Sequence, residues 1–122
     1  MVQSLHYFKP GQDVTSVPTA NVIGARFVTL QAGGTENVPK IAHSAAGDLA
    51  FGVVARDADE GEEVLVHTGG IVPITAGESL TAGAKVAAGA DGKAVAAADA
   101  AGALGLVIAD AQADTLASVH ML

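Results

Sequence analysis

The side chains with chemistry to offer are few. The chain has four histidines, His6, His43, His67 and His120, an acidic run holding Asp57, Asp59, Glu60, Glu62 and Glu63, and no cysteine. A calcium loop of EF-hand spacing counted from Asp57 needs glycine at its sixth place and glutamate at its twelfth, where the chain has Glu62 and Thr68. No two histidines lie three or four residues apart, the spacing that would turn both toward one metal from a helix face. Asp57 and Asp59 are the one pair open to acid–base hydrolysis. Nothing accompanies them: Ser44 and Ser79 sit outside G-x-S-x-G, and the glycines of GAKVAAGADG form neither phosphate-binding loop. No catalytic residue, metal or cofactor is expected, and the chain is not expected to be an enzyme. The acidic run reads as a solvated turn between strands, where its charge also discourages edge-to-edge pairing.

With no reactive constellation, the elements that would carry one become the subject. The chain of 122 residues is within single-domain size; half of it is hydrophobic, but aromatics make up only 3%. Small side chains bury little area each, at about 25 cal/mol per Å² of apolar surface, so self-association is expected as a source of further burial. Thirteen acidic against six basic residues give a net charge of −7, and Lys9, Arg26, Lys40, Arg56, Lys85 and Lys93 form no stripe, which argues against a nucleic-acid partner. Nowhere do 18 apolar residues run together, so no membrane partner is expected and the protein is expected to be soluble.

From Asn21 onward, short runs rich in Val, Ile, Leu and Thr alternate with turn signals such as Ala32-Gly33-Gly34, Asp59-Glu60-Gly61 and Ala90-Asp91-Gly92. Strands at that spacing predict an all-β sandwich or barrel. The piece KAVAAADAAGALG is the place where a short helix competes, since alanine is the best helix former, but Gly92, Gly102 and Gly105 leave too few uninterrupted residues. Two segments echo one another at an offset of 53: FGVVARDADEGEEVLVH from Phe51 and LGLVIADAQADTLASVH from Leu104. Upstream, IGARFV from Ile23 matches AGAKVA from Ala82 at an offset of 59. The chain therefore reads as two copies of one unit, about 20–67 and 79–120, within a single β domain over 20–122. Residues 1–19, broken by Pro10-Gly11 and Pro18, read as an extended arm, and HYFKP places two of the four aromatics there. Such a cluster is either tucked onto the domain or an anchor for a partner, the candidates being Leu5, His6, Tyr7, Phe8, Lys9 and Pro10.

PTANVIGARFV, GDLAFGVVARDADEGEEVLVHTGGIVPITAGESLTAGAKV and ALGLVIADAQADTLASVHML together resemble the small capsid decoration, or cement, proteins of tailed bacteriophages. That resemblance implies a β-barrel or β-tulip-like domain, assembled as a homotrimer at three-fold or quasi-three-fold positions on the outer capsid surface, soluble in the host cytoplasm before assembly. It implies the major capsid protein as partner, reached by the arm, with the shell stabilised by bridging capsomers. The alternative from another class is a small non-catalytic β-module binding a glycan or other ligand, which would require an aromatic platform; outside the arm the sequence offers only Phe27 and Phe51.

Overall fold

The computed structural model describes residues 11–99 and 102–122. Ten short strands follow one another: β1 Val14–Pro18, β2 Arg26–Gln31, β3 Lys40–His43, β4 Gly52–Val54, β5 Val64–His67, β6 Ile71–Thr75, β7 Lys85–Ala88, β8 Ala94–Ala96, β9 Gly105–Val107 and β10 Leu116–Met121. A 3-10 turn, Ala90–Gly92, joins β7 to β8. The first five strands close into a barrel in the order β1-β3-β2-β4-β5, and the last five form a sheet in the order β6-β10-β9-β7-β8. The expected all-β barrel architecture is thus observed, and the Ala-rich piece supplies β8 and, at its end, Gly105, the first residue of β9.

The two halves are the same object made twice. In the first, Val53 faces His67 and Val54 faces Val66; in the second, Leu106 faces His120 and Val107 faces Val119, every residue displaced by 53. β1 pairs with β5 as β6 pairs with β10, Val14 opposite Val66 becoming Val72 opposite Val119. The first barrel is closed by a parallel pairing of Pro18 with Ile41; the second has at that place one parallel bridge, Ala76 with Ala94, and Gly77 N–H donates to the Ala94 carbonyl at 2.7 Å as Thr19 N–H donates to Ile41 at 2.9 Å. Both halves are therefore five-stranded barrels of one topology, the second closed more thinly.

Two sequence-based boundaries are corrected by this register. The arm cannot extend to residue 19, because Val14–Pro18 is a wall of the first barrel, and its counterpart β6 belongs to the second, so the repeats begin at β1 and β6 instead of at residues 20 and 79. The alternation of β1 was hidden because its inward residues are Val14, Ser16 and Pro18, only one of them conventionally apolar and β-favouring. The upstream match runs at 58, not 59. Val28 faces Gly52 as Val86 faces Gly105, and the left-handed backbone of Ala25 (φ 59°) recurs at Gly83 (φ 85°). Matching Gly-Ala-Arg to Gly-Ala-Lys shifts a strand by one residue, which would turn every side chain to the opposite face. The two offsets differ because ten residues, 31–40, separate Leu30 from Ile41, whereas five, 89–93, separate their counterparts Ala88 and Ala94.

Each barrel is filled by equivalent residues: Val22, Val28, Ile41, Val54, Val64 and Val66 in the first, Leu80, Val86, Ala94, Val107, Ala117 and Val119 in the second. Phe27 and Val53, a cross-strand pair on the outer face of the first barrel, pack into the second barrel's cluster. Phe27 is 0% exposed. Around it Thr75 N–H donates to Ala25 carbonyl at 2.8 Å, and Gly47 N–H to Ala88 carbonyl at 3.0 Å. Gly92 lies so close to the Phe27 backbone that no Cβ fits there. Lys85, the counterpart of Phe27, is exposed, so the second barrel's outer face stays wet where the first barrel's is joined.

Candidate functional site

The acidic turn between β4 and β5 is built as structure. Asp57 Oδ1 accepts the Gly24 N–H at 2.7 Å, and its counterpart Asp110 Oδ1 accepts the Ala82 N–H at 2.8 Å. A carboxylate at that place ties the β1–β2 linker, or the β6–β7 linker, back to the hairpin in both barrels. Arg56 pairs with Glu62 at 3.2 Å and donates to the Glu63 carbonyl at 2.7 Å, and the Glu60 N–H donates to Asn21 Oδ1 at 2.9 Å. Among the described residues no group of three or more His, Cys, Asp or Glu side chains is placed to hold a metal ion. The Asp110 turn lines an open groove with Ser79, Leu80 and Thr81, but its carboxylate is already engaged.

The histidines are dispersed. His43 Nε2 accepts the Ile23 N–H at 2.9 Å, a bond open only to an unprotonated nitrogen. Burial holds the His43 imidazole below the usual histidine value, the Arg26 guanidinium acts in the same direction, and the Asp91 carboxylate opposes. His67 pairs with Asp13 at 3.0 Å, fixing the start of the described chain to the end of β5. His120 holds the same register as His67 but faces Ile71, where Asp13 has no counterpart carboxylate. His6 lies outside the described residues.

The surface feature that remains is apolar. Thr29, Leu30, Leu49, Ala50 and Phe51 line a groove of about 280 Å³ at the rim of the first barrel. Across Leu49 a second hollow of about 110 Å³ is lined by Gly47, Asp48, Gly102, Ala103 and Leu104. Leu30 is 51% and Leu49 83% exposed. Large apolar side chains gathered on one rim mark contact surfaces more often than singly scattered ones do. Sequence reasoning did not single out these residues. The available signal was that Leu30 shares the inward face of Val28 yet lies at the strand's end; nothing in the sequence marks Leu49. The candidate contact residues Leu5, His6, Tyr7, Phe8, Lys9 and Pro10 all lie outside the described residues.

Three comparisons with known proteins bear on this arrangement. Among curated proteins none matches the sequence. A solved structure described as the head fiber gp8.5 N base of bacteriophage phi29 superposes with a TM-score of 0.78 over 91% of this chain and 93% of that one, at 23% sequence identity. At that identity the likeness is one of fold. The family model described as phage cement protein matches residues 8–121. A match that runs from the segment before β1 to the last residue of β10 takes in both barrels and the seam between them, and by it the chain belongs to the phage cement protein family.

Proposed function

We propose that this protein decorates the outer surface of an assembled phage capsid as a homotrimer at three-fold or quasi-three-fold positions, bridging neighbouring capsomers and stabilising the shell. The observation that carries the reading is the family match over residues 8–121, which makes the chain a structural, capsid-associated protein. Two barrels with polar hairpin ends suit a molecule that acts by contact. The mechanism is thermodynamic: a ligand that binds only the finished shell stabilises it by mass action, and an oligomer touching several capsomers multiplies weak contacts through effective concentration.

In this reading the major capsid protein is the partner, and Leu5, His6, Tyr7, Phe8, Lys9 and Pro10 are the residues that reach it. An extended segment can add a strand to a partner's sheet edge, alternate side chains giving specificity. Light scattering is expected to give a mass three times that of the 12.0 kDa chain, and the protein is expected to co-sediment with capsids. Removing residues 1–10 should abolish co-sedimentation while the circular dichroism and melting of the barrels stay intact. Full occupancy by the shortened protein would refute the assignment of the arm, and a monomeric mass on and off the shell would refute the trimer.

A further inference from the structure

The exposed apolar side chains of the two barrels run together into one band. Leu30 and Leu49 share the groove at the rim of the first barrel, and Leu49 and Leu104 share the hollow beside it, whose Asp48 carboxylate is taken up by the Ala45 N–H at 2.9 Å. The Leu104 carbonyl accepts the Leu122 N–H at 3.0 Å, adding one pair to the β9–β10 ladder. Directly opposed residues of an antiparallel pair point to one face, so the register carries the band onward. His120 lies between Leu106 and Ile71; two residues along β10, Ser118 faces Pro73 and its carbonyl accepts the Ile108 N–H at 2.9 Å; two further, Leu116 faces Thr75. These positions alternate with the buried Val72, Ile74, Val107, Ala117 and Val119, so their side chains point away from the second barrel.

The internal repeat provides the control. Ile71 stands where the first barrel has Asp13, Leu116 where it has Glu63, Pro73 where it has Thr15 and Ile108 where it has Ala55. One topology in one register therefore carries carboxylates on the outside of the first barrel and aliphatic side chains on the outside of the second. The outer face of β6, β9 and β10 holds no carboxylate, and Lys85 bounds it on β7.

Area and charge together name the occupant. Among the described residues eight large hydrophobic side chains are strongly exposed, and six of them, Leu30, Leu49, Ile71, Ile108, Leu116 and Leu122, lie on this band. With Ile71 64% and Leu116 62% exposed, the six present roughly 700 Å², above the largest apolar patch of an ordinary monomer and near what each partner gives to a standard interface. Copies of a chain of net charge −7 repel one another, so they can meet closely only where carboxylates are missing. A basic partner would instead be drawn to the face that carries Asp13 and Glu63.

We infer that this band, from Leu30 and Leu49 of the first barrel to Ile71 and Leu116 of the second, is covered by a second copy of the chain. The inference rests on the oligomer of the reading above and gives that oligomer its contact face. In the Ile71→Asp, Leu116→Glu variant the second barrel takes the residues that the first already accommodates at the same places. Its dissociation constant, by sedimentation equilibrium, is expected to weaken at least about 100-fold, since each carboxylate would be buried unpaired against an acidic neighbour. Circular dichroism at low concentration should be unchanged. Leu49→Glu, on a loop of the other barrel, should weaken association about tenfold, whereas Leu65→Glu, on an exposed strand position outside the band, should leave it unaltered. A double variant that keeps the wild-type mass overturns the inference and leaves the trimer standing. A wild-type dimer that the variants dissociate sustains the inference while the trimer falls. A wild type that is monomeric at every concentration overturns both, and if the double variant then also stops co-sedimenting with capsids, the band belongs to the shell.

Discussion

Single residues carry both the sensitivity and the symmetry of this molecule. His43 is held unprotonated by burial and accepts the Ile23 N–H. Its folded pKa lies below the unfolded value of about 6.5, so as pH falls the unfolded chain takes up the proton first. The stabilisation is full above that value and is lost as pH drops through the folded one. The urea midpoint is therefore expected to fall as pH drops below about 6.5, and His43→Gln, which keeps an acceptor that does not titrate, should flatten that decline. The left-handed pair supplies a second prediction. Ala25 holds a positive φ where the second barrel uses Gly83, and a Cβ on Gly83 would meet nothing within 4 Å. Backbone strain alone should separate the two: Ala25→Gly is expected to stabilise by about 0.5–1 kcal/mol and Gly83→Ala to destabilise by about 1 kcal/mol, read by chemical denaturation.

At the level of strands, the echo between Phe51–His67 and Leu104–His120 was legible because it copies residues that touch. Gly52 and Gly105 recur since each lies against the partner strand's backbone carbonyl, that of His67 or His120, where a Cβ has no room. Gly52→Ala and Gly105→Ala are each expected to cost about 2–3 kcal/mol, more than any exposed glycine, and thermal melts of the two variants should agree within about 1 kcal/mol. β1 and β3 were not legible. Ser16 and Pro18 fill inward places of β1, and β3, Lys40–His43, buries only Ile41, so neither offers an apolar alternation. The one-residue slip in the upstream match has the same origin: type identity favoured aligning Gly-Ala with Gly-Ala, whereas the fold aligns the positions that need a left-handed backbone. Of the candidate contact residues, the aromatic cluster at Tyr7 and Phe8 was proposed from the sequence, whereas Leu49, exposed on a loop with no period, carried no sequence signal.

For the whole molecule, the join between the barrels rests on Phe27, which the second barrel replaces with the exposed Lys85. Phe27→Ala is expected to cost about 3–5 kcal/mol and to split one unfolding transition into two in calorimetry, the thinly closed second barrel melting first. Lys85→Phe should leave stability within about 0.5 kcal/mol, since no partner surface awaits it among the described residues. The asymmetry between the halves has a practical side. Their only difference in length is the longer β2–β3 connection, and its residues Ala32–Glu36 face solvent. One fold has thus been written with and without five extra residues at this corner, and further lengthening of a surface loop costs only about 0.6 kcal/mol per doubling. A foreign epitope spliced between Gly34 and Glu36 would ride outward on an otherwise unchanged scaffold, turning each copy into a carrier for multivalent display.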